Sequence, residues 1–112
     1  MIFASQNERG ELAADLVMAR RKTVTRRSKP VAVGKVLAVQ PGRGKKGIGH
    51  IRVVSCMTHL VWVAPVNNGR TDMFAKEAKK EGFITWGGLL LWFHIHKIKI
   101  EDTFRIEFEV VE

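Results

Sequence analysis

The strictest pattern in the sequence is an alternation of apolar and charged residues between positions 104 and 110. The apolar positions are Phe104, Ile106, Phe108 and Val110, and the residues between them are Arg105, Glu107 and Glu109. Successive side chains of a β-strand point to opposite faces of the sheet, so this period of two predicts a strand with one apolar face. It is the clearest strand signal in the chain.

Several other short segments also favour strands. They are Met1–Ala4, Lys22–Arg27, Val36–Gln40, Ile48–Ser55 and Leu60–Val63. Their short connections, including the glycine-rich loop at residues 41–47, are typical of a small sheet that curls on itself. We therefore expect an α+β fold with a small mixed β-barrel of about five to six strands and two to three helices.

The helices are predicted from apolar spacing and from capping residues. Glu11–Ala19 is amphipathic over about two turns. After the loop-like residues 67–70, Thr71 or Asp72 can cap a helix over Met73–Glu81, which Gly82 would end. A third helical pattern begins at Thr85, but Gly87 and Gly88 weaken it, so residues 86–95 could instead be partly extended.

Composition limits the possible partners. The 112 residues, 46% of them hydrophobic, fit one domain over residues 1–112. The net charge of +8 favours an anionic partner, and nucleic acid first, although a basic surface that serves only solubility is the alternative. The single cysteine, Cys56, fits a reducing cytoplasm. The longest apolar run, Leu89–Phe93, is too short to span a membrane.

We expect neither a metal nor a cofactor. His94 and His96 would share one face of a strand, but a third ligand is not evident in the sequence. The glycine-rich loop does not have the spacing of a P-loop, because Lys46 is followed by Gly47.

Residues 19–27 contain the highest density of potentially reactive side chains, with five cations and two threonines. Arg20 and Arg21 follow the first helix, where cations complement the helix dipole. The remaining members are Lys22, Thr23, Thr25, Arg26 and Arg27. A lysine buried near other cations is driven toward its neutral amine and could activate a threonine hydroxyl. Glu81 is a candidate acid, and Trp62 or Trp86 a candidate pocket wall.

These residues resemble the ASCH domain family. The resemblance rests on Arg21–Arg27 after a short helix, Val33–Leu37, Ile51–Val53, Glu81–Phe83 and Phe104–Phe108, in this order and over essentially the whole chain. It implies a PUA-like barrel with a cleft along the Lys-Thr strand that binds RNA or nucleotides. Small bacterial members of the family include amidohydrolases that remove the acetyl group from N4-acetylcytidine.

The resemblance assigns the roles of that reaction to matching positions. It implies Lys22 as proton acceptor, Thr25 as nucleophile and Glu81 as proton donor. From their residue chemistry, we expect Thr23, Arg26, Arg27, Trp62 and Trp86 to bind the substrate. A non-enzymatic module that binds RNA in a basic cleft is the alternative function. One geometric problem accompanies the assignment, because Lys22 and Thr25 would face opposite sides of a regular strand. Both reach one pocket only if Lys22 precedes the strand or lies at a bulge.

Overall fold

A computed structural model describes residues 1–64 and 71–111 of the chain. Its helices and strands, in chain order, are α1 (Ala13–Met18), β1 (Val24–Arg27), β2 (Val36–Val39), β3 (Gly49–Thr58), α2 (His59–Val63), α3 (Thr71–Lys80), α4 (Trp86–Ile95) and β4 (Phe104–Val111), with a 3-10 turn at Ile100–Asp102 before β4. The α+β class predicted from the sequence is confirmed. The loop predicted at residues 67–70 lies outside the described residues.

The strands form one antiparallel sheet in the order β1-β4-β3-β2. β1 and β2 are its edges, so the sheet is open, and the prediction of a closed barrel of five to six strands was wrong. In the described chain this sheet has four strands. Met1–Ala4 contributes a single bridge between Ile2 and Gln40 in place of a strand. The short patterns identified β1 to β4, but sheet closure depends on pairings between edges that are distant in sequence.

The segment Leu60–Val63 was predicted to be extended, and the structure shows it in helix α2. The Thr58 hydroxyl caps this helix by accepting a hydrogen bond from the Val61 amide at 3.2 Å. Such a cap satisfies a backbone N–H that would otherwise lack a partner at the helix start. The β-favouring valines therefore lie in a short helix whose Val61 side chain is exposed.

The helices α3 and α4 confirm two further predictions. α3 begins at Thr71, two residues before the predicted start, and the chain turns at Gly82, whose φ is +87°. The helical alternative for residues 86–95 is correct, and the Thr85 hydroxyl caps α4 by accepting from the Gly88 amide at 2.9 Å. Within the described parts of the chain, no helix combines the length and the apolar character that a bilayer crossing requires.

The main apolar cluster lies between α1 and the sheet. Its buried members are Phe3, Ala13, Ala14, Val17, Val39, Ile51 and Phe108. The rings of Phe3 and Phe108 are 5.6 Å apart between centroids, so the segment before α1 packs directly on β4. This packing carries residues 2–5 past the end of β1, where they border the cavity described below.

Candidate functional site

A cavity of about 190 Å³ lies where β1 meets the end of α3 and the segment before α1. Its polar lining is provided by Ser5, Lys22, Thr25, Arg26, Arg27 and Glu81, and its apolar lining includes Phe3, Phe83, Trp92 and Phe93. A concave site with aromatic walls and a few converging polar groups is typical of binding pockets for small organic ligands. Five of the eight residues selected from the sequence therefore border one cavity.

Lys22 lies before β1, and this position removes the geometric problem raised by the sequence. The chain leaves α1 through Arg20, whose φ is 61°, and the amides of Arg21 and Lys22 both donate to the Leu16 carbonyl. β1 begins only at Val24. Because Lys22 is outside the strand, the alternation of faces does not apply to it, and both Lys22 and Thr25 reach the cavity.

The Lys22 amine is buried and bound by backbone carbonyls. Its Nζ donates to the carbonyl oxygens of Val24 at 2.9 Å and Glu81 at 2.7 Å. Burial lowers the pKa of Lys22 from 10.5 to about 8, and the cations Arg27 and Arg26 act in the same direction while Glu81 opposes them. A neutral amine has two N–H bonds, and the two carbonyls can accept both of them. Its lone pair then remains available to accept a proton.

Glu81 follows the last turn of α3, and its amide still donates to the Glu77 carbonyl at 3.0 Å. Only 4% of Glu81 is exposed. Burial raises the pKa of its carboxyl group, and nearby Glu77 adds to this effect, whereas Arg26 and Lys22 oppose it. The site thus contains a base with a lowered pKa beside an acid with a raised one, a combination that marks candidate acid–base sites.

Gly82 allows the chain to turn directly after Glu81. Its positive φ is unfavourable for other residues, and a Cβ at this position would be 3.0 Å from a methyl carbon of Leu16. The same hypothetical Cβ would lie 3.6 Å from the Lys22 side chain. The glycine therefore permits the close approach of the α3 end to Lys22.

Arg26 borders the cavity, but its guanidinium group is engaged by protein groups. It pairs with Glu81 through Nη1 and with Glu77 through Nη2 at 3.0 Å. Its Nε donates to His59 Nδ1 at 3.2 Å. Burial lowers the pKa of His59, and the positive charge of Arg26 adds to this effect, which favours the neutral ring that accepts this bond.

Arg27 presents a different environment. Its Nη2 donates to the Ile2 carbonyl at 2.6 Å, and its guanidinium lies 5.1 Å from the centre of the Phe3 ring. Its Nε is buried and has no hydrogen-bond partner among the described residues. A cation bordering the cavity with an unused N–H is suited to an acceptor on a ligand.

The structure places Trp62 and Trp86 away from this cavity. Their rings are 6.2 Å apart, and both contact Phe74 on α3. Thr23 borders a different groove, which includes Phe108 and Val110. Trp92 occupies the wall position that the sequence suggested for another tryptophan. It stacks on His96 with ring centroids 4.1 Å apart and meets Phe83 and Phe93 edge-on.

Sequence reasoning missed Glu77, Phe83, Trp92, Phe93 and His59. Glu77 could have been found, because it lies four residues before Glu81 and shares its helix face.

His94 and His96 are exposed. In residues 1–64 and 71–111, no three histidine, cysteine or acidic side chains are grouped to hold a metal ion.

Comparison with known proteins identifies the fold. A scan against models of protein families and a search of curated proteins found no match. Among solved structures, a protein of Enterococcus faecalis V583 assigned to family DUF984 is 20% identical with a TM-score of 0.55, and the match covers 98% of this chain and 78% of that one. An ASCH domain from Lactobacillus crispatus JV V101 is also 20% identical with a TM-score of 0.54, covering 96% and 76%.

Identity at this level establishes the fold. The fold that the resemblance to the ASCH family implied is confirmed, except that the sheet is open where a barrel was expected. The chain therefore has the same α+β fold as the ASCH domain of Lactobacillus crispatus.

Proposed function

We propose that this chain is an amidohydrolase that removes the acyl group from N4-acetylcytidine-type nucleosides, with Lys22 as base, Thr25 as nucleophile and Glu81 as acid. One observation carries the proposal: these three side chains border the same cavity. The lowered pKa of Lys22 and the raised pKa of Glu81, both caused chiefly by burial, match the roles of base and acid.

In the acylation step, the neutral Lys22 amine takes the proton of the Thr25 hydroxyl. The Thr25 oxygen forms a bond to the amide carbonyl carbon, and the bond from that carbon to N4 breaks. Glu81 gives its proton to the departing amine, so that cytidine leaves. The charge that develops on the carbonyl oxygen can be stabilised by Arg27, whose Nε lacks a partner among the described residues.

In the deacylation step, a water molecule attacks the ester on Thr25. The Glu81 carboxylate accepts a proton from this water, and the Lys22 ammonium returns a proton to the Thr25 oxygen as the ester bond breaks. The products are the free carboxylic acid and the restored Thr25 hydroxyl. Lys22 is again neutral and Glu81 again protonated, so the cycle closes without any other reactant.

The cavity dimensions support a small flat substrate. Its volume of about 190 Å³ is below the several hundred Å³ typical of sites for drug-sized ligands. Phe83, Trp92 and Phe93 provide aromatic walls against which a pyrimidine could stack. A single base with a short acyl group is therefore the ligand class that we expect to enter.

The test is an absorbance assay that follows conversion of N4-acetylcytidine to cytidine. We expect turnover by the wild type and a fall in kcat of at least about 100-fold in each of Lys22→Met, Thr25→Val and Glu81→Gln. Thr25→Ser should retain part of the rate because it keeps a hydroxyl. The exposed Lys29→Met and Glu109→Gln are matched controls with full rates expected. Absence of wild-type turnover well above trace protein concentrations refutes the proposal for this substrate.

A second candidate function is binding of RNA without hydrolysis, which the net charge of +8 favours because a free nucleoside requires no such field. A groove of about 480 Å³ supports it, since Arg9, Arg21 and Lys79 line this groove together with Phe83, which also borders the cavity. The test is titration of single-stranded RNA at two salt concentrations. Affinity that is absent at low salt, or that does not fall with added salt, contradicts this candidate.

A further inference from the structure

Two buried carboxylates on α3 face two buried arginines on the sheet. Glu77 and Glu81 are four residues apart and therefore lie one helical turn apart on the same face. Arg26 on β1 and Arg105 on β4 are direct partners across the two strands, so their side chains emerge side by side. All four residues are buried, with 2% to 7% of each exposed.

The four charges are not arranged as two separate pairs. Glu77 accepts hydrogen bonds from Arg105 Nε at 2.5 Å and Arg105 Nη2 at 3.0 Å, and it also pairs with Arg26 Nη2 at 3.0 Å. Arg26 pairs in turn with Glu81. Among the described residues, Glu77 is thus held by two guanidinium groups and Glu81 by one, and Arg26 is shared between the two carboxylates.

Two aromatic residues fix the orientation of Arg26. The Trp62 ring lies 4.8 Å from the Arg26 guanidinium and 5.6 Å from that of Arg105, so it covers both cations. His59 accepts the bond from Arg26 Nε. Nε and Nη1 donate hydrogen bonds to His59 and Glu81, whereas Nη2 contacts Glu77 only as an ion pair, and the two hydrogen bonds give the guanidinium plane a defined orientation toward Glu81.

We propose that Glu77 is a positioning residue that acts on Glu81 through Arg26. Because Glu77 binds Arg26 as well as Arg105, Arg26 cannot serve as a counter-ion for Glu81 alone and so does not keep Glu81 ionised. The proposal rests on the proposed function, in which Glu81 must carry a proton. A carboxylate with its own arginine favours the ionised form, whereas one that shares the arginine with a second carboxylate holds its proton more readily.

The sign of the effect follows from the groups that face Glu81. Lys22 and Arg27 approach it from the segment before β1 and from β1 itself, and Arg26 and Arg105 approach from the sheet. Glu77 is the negative group beside it on α3, and it raises the pKa of Glu81. Replacement of Glu77 by glutamine removes this negative charge, so Glu81 should lose its proton at a lower pH.

The test is NMR titration of the Glu81 carboxyl carbon in ¹³C-labelled protein. In Glu77→Gln we expect the titration midpoint of Glu81 to move to lower pH by roughly one unit, the size expected for loss of one neighbouring charge. Glu107→Gln is the matched control, because Glu107 lies 3.8 Å from Arg105 but is partly exposed and is not among the partners of Arg26. An unchanged or higher midpoint in folded Glu77→Gln overturns the proposal.

A second variant covers the case in which Glu77→Gln does not fold. Arg105→Gln removes the second cation that binds Glu77, so Glu77 should hold Arg26 more strongly and the titration midpoint of Glu81 should move to higher pH. A downward or absent shift overturns the proposal. The pH dependence of kcat/KM adds an independent result, since the bell-shaped curve of Glu77→Gln should lie at lower pH than that of the wild type. If wild type lacks hydrolase activity, the proposed function fails, while the NMR titration still decides the role of Glu77.

Discussion

Lys22 Nζ donates a hydrogen bond to the backbone carbonyl oxygen of Glu81 across 2.7 Å. This contact joins the segment before β1 to the end of α3, and it uses the main chain of Glu81 and leaves its carboxylate to Arg26. The candidate base and acid are therefore held close together without forming a simple side-chain ion pair. The arrangement gives each group a different partner, and several measurable consequences depend on it.

The first prediction concerns the pH dependence of stability. Burial lowers the pKa of Lys22 to about 8 in the folded chain, from 10.5 when it is exposed. Between these values the unfolded chain binds more protons, so the free energy of unfolding should rise with pH, by roughly 3 kcal/mol at most. The chain has no tyrosine, which removes one class of group that titrates near this range. Urea unfolding at pH 7.5 and pH 10.5 measures the rise.

Lys22→Met provides the control for this measurement, because it fills similar space without an ionisable amine. We expect its free energy of unfolding to be nearly independent of pH over the same interval. The wild-type rise would be attributed to another group if Lys22→Met showed the same increase.

The second prediction compares a buried arginine with an exposed one. The Arg26 side chain is fully buried between Glu77 and Glu81, so Arg26→Met should leave Glu81 without its arginine partner and Glu77 with Arg105 alone, and cost about 3 to 5 kcal/mol of stability. Arg52 forms an exposed ion pair with Glu109 at 3.4 Å, and Arg52→Met should change stability little. Thermal and urea denaturation of both variants at pH 7 measure the difference. Equal losses would show that Arg26 is not held as described.

The sequence predicted strands, helices and the main site residues where local patterns dominate. The alternation around Phe108 identifies β4, and the apolar spacing after Thr85 indicates α4, although Gly87 and Gly88 left an extended alternative open. Lys22 and Thr25 are three residues apart, and before the structure only the resemblance to the ASCH family linked both to Glu81, which borders the same cavity. A local pattern was sufficient for β4 because the alternation depends only on residues close together in the chain.

The remaining features depend on long-range packing. α4 is apolar on several sides, with Leu89 and Phe93 buried but Leu91 and Ile95 exposed, so its sequence could not indicate that Trp92 faces the cavity. The partners of Arg26 lie on α3 and at His59, more than thirty positions away along the chain. Sheet closure likewise depends on distant edges, which is why a barrel was expected and an open sheet was found.

The third prediction concerns the turn after Glu81. Gly82→Ala would combine a φ of +87° with a Cβ 3.0 Å from Leu16, so we expect a loss of about 1 to 2 kcal/mol in stability and a lower kcat from displacement of Glu81. Gly44→Ala is the matched control, since Gly44 also has a positive φ of +73° but open space around its Cβ. It should show the smaller stability loss and an unchanged kcat. Identical effects in both variants would mean that the close approach of residue 82 to Leu16 and Lys22 influences neither stability nor kcat.

The last prediction distinguishes the tryptophans by their effect on substrate binding. Trp92 borders the cavity, whereas Trp86 packs against Phe74 with ring centroids 4.8 Å apart. Removal of an aromatic wall weakens stacking in the ground state and the transition state alike, so Trp92→Leu should raise KM for N4-acetylcytidine about tenfold with less effect on kcat. Trp86→Leu should lower stability more than it changes KM. Steady-state kinetics beside thermal denaturation measure both quantities, and a larger KM increase in Trp86→Leu would place the substrate on the other side of Arg26, against Trp62 and Phe74.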